Sequence, residues 1–181
     1  MANDIYKPSN HAPPHLFRPN SHYIVTAGTL GKRPFFNTGE KRTLLLNTLI
    51  SEGEDRNWRL EAWAILPNHY HFVAQSPQDS TTLSKLIQAV HSKTAIALNR
   101  LDKTPGRKIW YQYWDTCIVD DNAHHTRLKY VHENPAKHGL VDDPSAYPWC
   151  SMRWFLDNAT NEFRSRVLAS TTQAPNIPDD F

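Results

Sequence analysis

The sequence predicts an α+β domain of the ferredoxin-like kind, strand–helix–strand–strand–helix–strand (βαββαβ) with a further C-terminal helix. Three observations carry this. Segments with period-two alternation or with β-branched and aromatic enrichment occur at residues 22–30, 58–66, 69–75 and 109–119. Two long segments with apolar residues at helical spacing fall between the first and second of these and between the third and fourth. The second and third strands are separated only by Pro67-Asn68, a turn dipeptide that makes them a hairpin. The expected product is an antiparallel sheet with helices on one face and the other face left for a ligand.

Each element has its own signal. Residues 1–20 hold four prolines among polar residues and read as an extended arm. The first strand alternates Tyr23, Val25 and Ala27 against Ile24 and Thr26, and Gly31-Lys32-Arg33-Pro34 ends it. From residue 39 to about 53, Leu44, Leu45, Leu46, Leu49 and Ile50 recur at helical spacing. After the hairpin, Asp79 and Ser80 are good caps for a second helix. Its stripe is Leu83, Leu86, Ile87, Val90, Ala97, Leu98 and Leu101, and Thr104-Pro105-Gly106 stops it. The fourth strand carries Trp110, Tyr111, Tyr113 and Trp114, which suit either core packing or base stacking. A third helix starts near Asp121-Asn122 and runs to about Asn134; residues 135–139 form a turn or a new short helix. Residues 145–154 return aromatics to the body, and the chain from about residue 158 reads as weakly ordered. The expected division is an arm at 1–20, one catalytic domain at 21–155 and a partly disordered tail at 156–181.

Composition narrows the class. A chain of 181 residues, 39% hydrophobic and 21% charged, suits one soluble globular domain. No apolar run approaches the roughly 20 residues that span a bilayer. Cys117 and Cys150 are the only cysteines, too few for a disulfide framework, so a reducing cytoplasm is expected. Residues 1–141 carry 17 Lys/Arg against 12 Asp/Glu, and residues 142–181 carry 3 against 6. The basic body suits a polyanionic partner.

The chemistry centres on His69-Tyr70-His71. Side chains alternate faces along a strand, so the two imidazoles point the same way while Tyr70, Phe72 and Ala74 take the core face. Two imidazoles side by side can hold one divalent ion, but a closed site needs a third ligand from elsewhere. The third helix offers one. At helical spacing Arg127, Tyr130, Asn134 and Lys137 share a side, while Leu128 and Val131 face the core. Pro135 disfavours helical geometry at Asn134, which then either continues the helix or caps a new one. A tyrosine here makes chemical sense. A phenolate can attack a phosphodiester and store the bond energy as phosphotyrosine, with a metal ion and nearby cations offsetting charge.

Several blocks occur in order over about residues 20–155. They are Trp63-Ala64-Ile65-Leu66-Pro67-Asn68-His69-Tyr70-His71-Phe72, Leu86-Ile87-Gln88-Ala89-Val90-His91-Ser92 and Ile109-Trp110-Tyr111-Gln112 with Trp114-Asp115. Tyr130-Val131-His132-Glu133-Asn134-Pro135-Ala136-Lys137-His138-Gly139-Leu140-Val141 and Tyr147-Pro148-Trp149-Cys150-Ser151 complete them. The set resembles the HUH single-tyrosine (IS200-like) transposases, and within them the REP-associated tyrosine transposases. The resemblance implies that His69, His71 and Asn134 bind Mg²⁺ or Mn²⁺ and that Tyr130 is the nucleophile, forming a 5′-phosphotyrosine. It implies a single-stranded DNA substrate with REP-type palindromic hairpins, a monomer or homodimer, and a cytoplasmic, nucleoid-associated protein with no membrane partner. Lys32, Arg33, Lys41, Arg42, Arg127, Lys137 and His138 are candidate DNA contacts. His132 is expected at the surface or behind the ligands, and His124 and His125 solvated at the helix start. Two alternatives stay open: a non-catalytic hairpin-binding protein, and a replication- or relaxase-type nickase.

Overall fold

The computed structural model describes residues 5–9 and 12–171. A two-stranded antiparallel ribbon, β1 (Ile5–Ser9) and β2 (Ala12–Phe17), precedes the main body. The stretch expected as an extended arm is therefore a hairpin. Its prolines did not reveal this, because they are tolerated on edge strands.

The body is a four-stranded sheet of β3 (His22–Thr29), β4 (Arg59–Ile65), β5 (His69–Gln75) and β6 (Trp110–Ile118). Its spatial order is β4-β5-β3-β6, and every neighbouring pair is antiparallel. Helices α1 (Gly39–Glu54) and α2 (Leu83–Leu101) supply the two crossovers. The side chain of Thr38 caps α1, and Asp79 caps the short 3-10 turn that leads into α2. The predicted βαββαβ order is the order of the chain. β3 and β5 are the two central strands, so His69 and His71 stand on the most fully hydrogen-bonded part of the sheet.

One core lies between the sheet and α1/α2. Tyr23, Val25, Tyr70 and Phe72 from the strands meet Leu45, Leu49, Leu86 and Val90 from the helices. The opposite face is not open. Helix α3 (Asp121–Lys137) lies across it, followed by α4 (Met152–Asn158) and α5 (Asn161–Ala169). Ile24, Ala62, Ala64 and Val73 form a second core there with Leu128, Val131, Phe155 and Val167. Burying Leu128 and Val131 contributes on the order of 1.5–3 kcal/mol each. The face expected to be free for a ligand is thus where the tyrosine-bearing helix packs, and a ligand must enter at the helix–sheet seam.

Two further expectations change. Helix α3 does not stop at Asn134 but continues through Pro135 to Lys137. Pro135 falls in the last turn, where it removes the amide that would donate to the Val131 carbonyl, and the helix continues past it for only two residues. Gly139 (φ 66) then closes the helix, with the Gly139 and Leu140 amides donating to the Ala136 and Pro135 carbonyls. The boundary expected at 155/156 falls inside α4, and ordered helix extends to residue 169 through α5, whose Val167 and Phe163 join the second core. Residues 172–181, the rest of the expected tail, lie outside the described residues.

Residues 144–151 strap the edge of β4, as the aromatic run suggested. Ala64 bridges to Cys150, the Tyr147 hydroxyl donates to the Ile65 carbonyl at 2.9 Å, and the Trp63 amide donates to Ser151 Oγ at 2.8 Å. Among the described residues no helix is long and apolar enough to cross a membrane.

Candidate active site

The strand register sets the first half of the site. Thr26 lies between His71 on β5 and Trp114 on β6, and Gly28 lies between His69 and Gln112. His69, His71 and Thr26 therefore face α3 together. Each imidazole is oriented through Nδ1: His71 Nδ1 lies 2.6 Å from Thr26 Oγ1, and His69 Nδ1 donates to Asn68 Oδ1 at 2.8 Å. The Asn68 amide is itself fixed, because its Nδ2 donates to the Lys32 carbonyl at 3.2 Å. With Nδ1 engaged, Nε2 is the nitrogen each ring offers to an ion. Both rings are almost fully buried, with centroids 5.0 Å apart.

Helix α3 supplies the second half. The Tyr130 ring stands edge-on to His71, with centroids 5.2 Å apart. Two turns on, the His138 ring lies 4.8 Å from that of His69. Asn134 sits on the helix midway between these two contacts, four residues from each, and is completely buried. The helix face Tyr130–Asn134–His138 thus runs along the strand face His71–His69. That geometry was uncertain from sequence only because of Pro135. Lys137 Nζ stands 5.1 Å from the Tyr130 ring centroid. Arg127, one turn earlier, is half-buried; burial lowers its guanidinium from the ordinary value, and Tyr130 opposes that shift.

The other expected residues divide. Lys32 and His138 line a pocket with His69, Asn68 and Leu140, and Arg33 is exposed beside it. Lys41 and Arg42 are not part of this constellation. Lys41 pairs with Asp102 at 2.8 Å. The Arg42 guanidinium stacks over Trp149 at 4.1 Å and donates to the Phe36 carbonyl. On β6, Trp110 is core, stacked on His91 at 4.2 Å, whereas Tyr111 is exposed.

His132 departs from expectation. It is buried against Phe155 with ring centroids 4.6 Å apart, and desolvation pulls its pKa down to about 3. The sequence hid this because His132 and Phe155 lie on different elements, 23 positions apart, and no local spacing links them. His124 is not solvated either. Its Nε2 donates to Glu61 Oε2 at 2.8 Å, and its ring stacks on His22 at 4.0 Å.

Comparison with known proteins gives the family. The family model described as "Transposase IS200 like" matches residues 19–134, a span that includes His69, His71, Tyr130 and Asn134. A REP-associated tyrosine transposase of Escherichia coli (strain K12) is 25% identical over 138 residues, 70% of this chain and 78% of that protein. The solved structure of a REP-associated tyrosine transposase bound to a REP hairpin has the same fold, with a TM-score of 0.70 at 16% identity over 89% of this chain and 92% of that one. The chain belongs to the IS200-like transposase family and is an enzyme of the transposase kind.

Proposed function

We propose that this chain is a metal-dependent single-stranded DNA endonuclease and strand transferase acting at REP-type hairpins through a phosphotyrosine at Tyr130. The observation that carries the reading is the placement of Tyr130 against His71, with Asn134 and His138 following along the same strand. The hairpin substrate is carried over from the REP-associated relatives.

The donor set fits a divalent ion. His69 and His71 have their Nε2 atoms for it, Asn134 offers an amide oxygen, and so few protein ligands leave positions for water and phosphate. Mixed imidazole and amide donors suit Mn²⁺, and Mg²⁺ to a lesser degree. When bound, the ion supplies Lewis-acid polarisation of the scissile phosphate.

The residues of the chain supply the rest. The Tyr130 oxygen, buried in the absence of DNA, gives its proton to water that enters the seam with the strand and attacks phosphorus; the new O–P bond replaces the P–O3′ bond, and the departing 3′ oxygen takes up a proton. The products are a 5′-phosphotyrosine and a free 3′-hydroxyl, so the reverse attack by a 3′-hydroxyl reseals the strand without ATP. Lys137 and Arg127 offset charge at the phosphate. Lys32, Arg33 and His138 border the seam by which DNA reaches His69. Both halves of the site come from one chain, so a monomer is sufficient.

A hairpin oligonucleotide with a 5′ single-stranded extension and Mn²⁺ tests the reading. The expected product is a denaturation-resistant protein–DNA adduct that chelation prevents and Tyr130→Phe abolishes. Tight hairpin binding with no adduct in either Mn²⁺ or Mg²⁺ would instead identify a non-catalytic binder.

A further inference from the structure

A second cluster of ligating atoms lies on the same helix–sheet interface, at its other end. His22 opens β3, Glu61 lies in β4, and His124 is in the first turn of α3. Glu61 Oε2 accepts from His22 Nδ1 and from His124 Nε2, each at 2.8 Å, while Oε1 accepts from Arg59 Nη2 at 3.1 Å. All three side chains are largely buried.

The sheet is built to aim the carboxylate here. Along β4, Leu60 pairs with Ala74 and Ala62 pairs with Val73, so Glu61 is the extra residue of a β-bulge. A bulge re-aims a side chain that regular alternation would send elsewhere. This one directs a carboxylate beneath α3, next to the apolar side chains Leu128, Phe155 and Phe163. Burying a charge there is costly unless it is paired or binds a cation. Burial pushes the Glu61 carboxyl up, but the bonds from His124 and His22 outweigh it and hold it at about 2, so the group is ionised.

We infer that His22 Nδ1, Glu61 Oε2 and His124 Nε2 form a second metal site, separate from the strand histidines, that takes a zinc-class divalent ion and ties the start of α3 to the sheet. Two imidazoles and one carboxylate match the donor set of three-ligand zinc sites with an open fourth position. The ligating atoms all lie within 4.8 Å of one another. Zinc bonds of about 2.0–2.1 Å hold tetrahedral donors about 3.3 Å apart, so each N···O pair has to open by only about 0.5 Å. A groove lined by Leu60, Trp154 and Phe163 reaches Glu61 and His124 and admits the ion and a water for the fourth position. His124 precedes Tyr130 by six residues, about 9 Å along the helix. His22 precedes Thr26 by four, about 13 Å along the strand. The two clusters therefore fasten the same helix at two points.

The test is Zn²⁺ titration of the full chain, freed of metal, in a His71→Gln background that disables the strand histidines. Chelating-indicator competition reads the stoichiometry, and thermal melting reads the coupling to folding. One Zn²⁺ per chain is expected, with a Tm that rises with Zn²⁺ concentration. Adding His124→Gln, whose amide still donates to Glu61, should weaken binding at least tenfold and remove the Tm rise. Absence of binding in the His71→Gln chain, or binding indifferent to His124→Gln, overturns the site. Should His71→Gln fold poorly, the same count in otherwise wild-type protein should fall by one equivalent on His124→Gln, and an unchanged count overturns it equally. Failure of the DNA-cleavage reading would leave these counts untouched, because no DNA is present.

Discussion

Tyr130 and His71, which lie 59 positions apart in sequence, meet edge to face across the helix–sheet seam, their ring centroids 5.2 Å apart and their planes at 78°. The contact fixes the ring, and with it the tyrosine oxygen, relative to the strand. Tyr130→Phe keeps the ring and removes only the oxygen. Adduct formation on a hairpin oligonucleotide should vanish, stability should change by no more than about 1 kcal/mol, and hairpin affinity should stay within a few-fold. A variant that still forms adduct on denaturing gels would place the nucleophile elsewhere.

Thr26 is fully buried and touches His71. Its hydroxyl lies 2.6 Å from Nδ1, the side of the ring away from the proposed ion. Thr26→Val keeps much of the shape and removes that partner. Loss of such an outer contact typically costs 10–100-fold in metal affinity or activity. The Mn²⁺ concentration for half-maximal cleavage should therefore rise by roughly this factor, with the rate at saturating Mn²⁺ largely recovered. A fall in the saturating rate with unchanged metal dependence would mean that Thr26 only packs.

How far this site could be read from sequence depended on whether its geometry was local. The face shared by His69 and His71 follows from alternation along one strand, and the i,i+4 relation of Tyr130 and Asn134 from helical spacing. The continuation of α3 through Pro135 was ambiguous, because a proline there removes a helical donor and disfavours helical geometry at the residue before it, and tertiary packing decides. The second core escaped notice because Ile24, Ala62, Ala64 and Val73 are interleaved with the first core's residues. A strand buried on both faces carries no polar side to announce the helix above it. The Glu61 cluster draws on three elements and a bulge. No spacing rule links His22 to His124, and a regular strand would have sent Glu61 to the other side.

Acid should weaken the fold through its buried histidines. His91 stacks on Trp110, its Nε2 is hydrogen-bonded to the Tyr70 hydroxyl at 3.0 Å, and desolvation pulls its pKa down to about 3. The unfolded chain takes up that proton near pH 6.5 and the folded chain does not. The neutral ring's contribution is thus complete above about 6.5 and is lost progressively as the pH falls toward 3. By pH 5 the loss is about 2 kcal/mol for this one residue, to order of magnitude. His91→Gln retains an acceptor for Tyr70 and does not titrate. Urea unfolding at pH 7 and pH 5 should show a smaller drop for the variant by about that amount, and an equal drop in both proteins would refute the assignment.

Lys32 and Lys41 make a contrasting pair for DNA binding. Lys32 is exposed at the edge of the pocket that holds His69 and His138, whereas Lys41 is paired with Asp102 at 2.8 Å. A lysine on a phosphate releases counterions, and each such contact adds about 0.7–0.9 to the slope of log affinity against log salt. Lys32→Gln should lower that slope by about this much and weaken hairpins of different loop sequence alike, because phosphate contacts carry no base information. Lys41→Gln should leave the slope unchanged, because its charge is already paired with Asp102. Fluorescence anisotropy over a range of salt concentrations checks both. If Lys41 rather than Lys32 moved the slope, DNA would track over the start of α1, away from the seam between Tyr130 and His71.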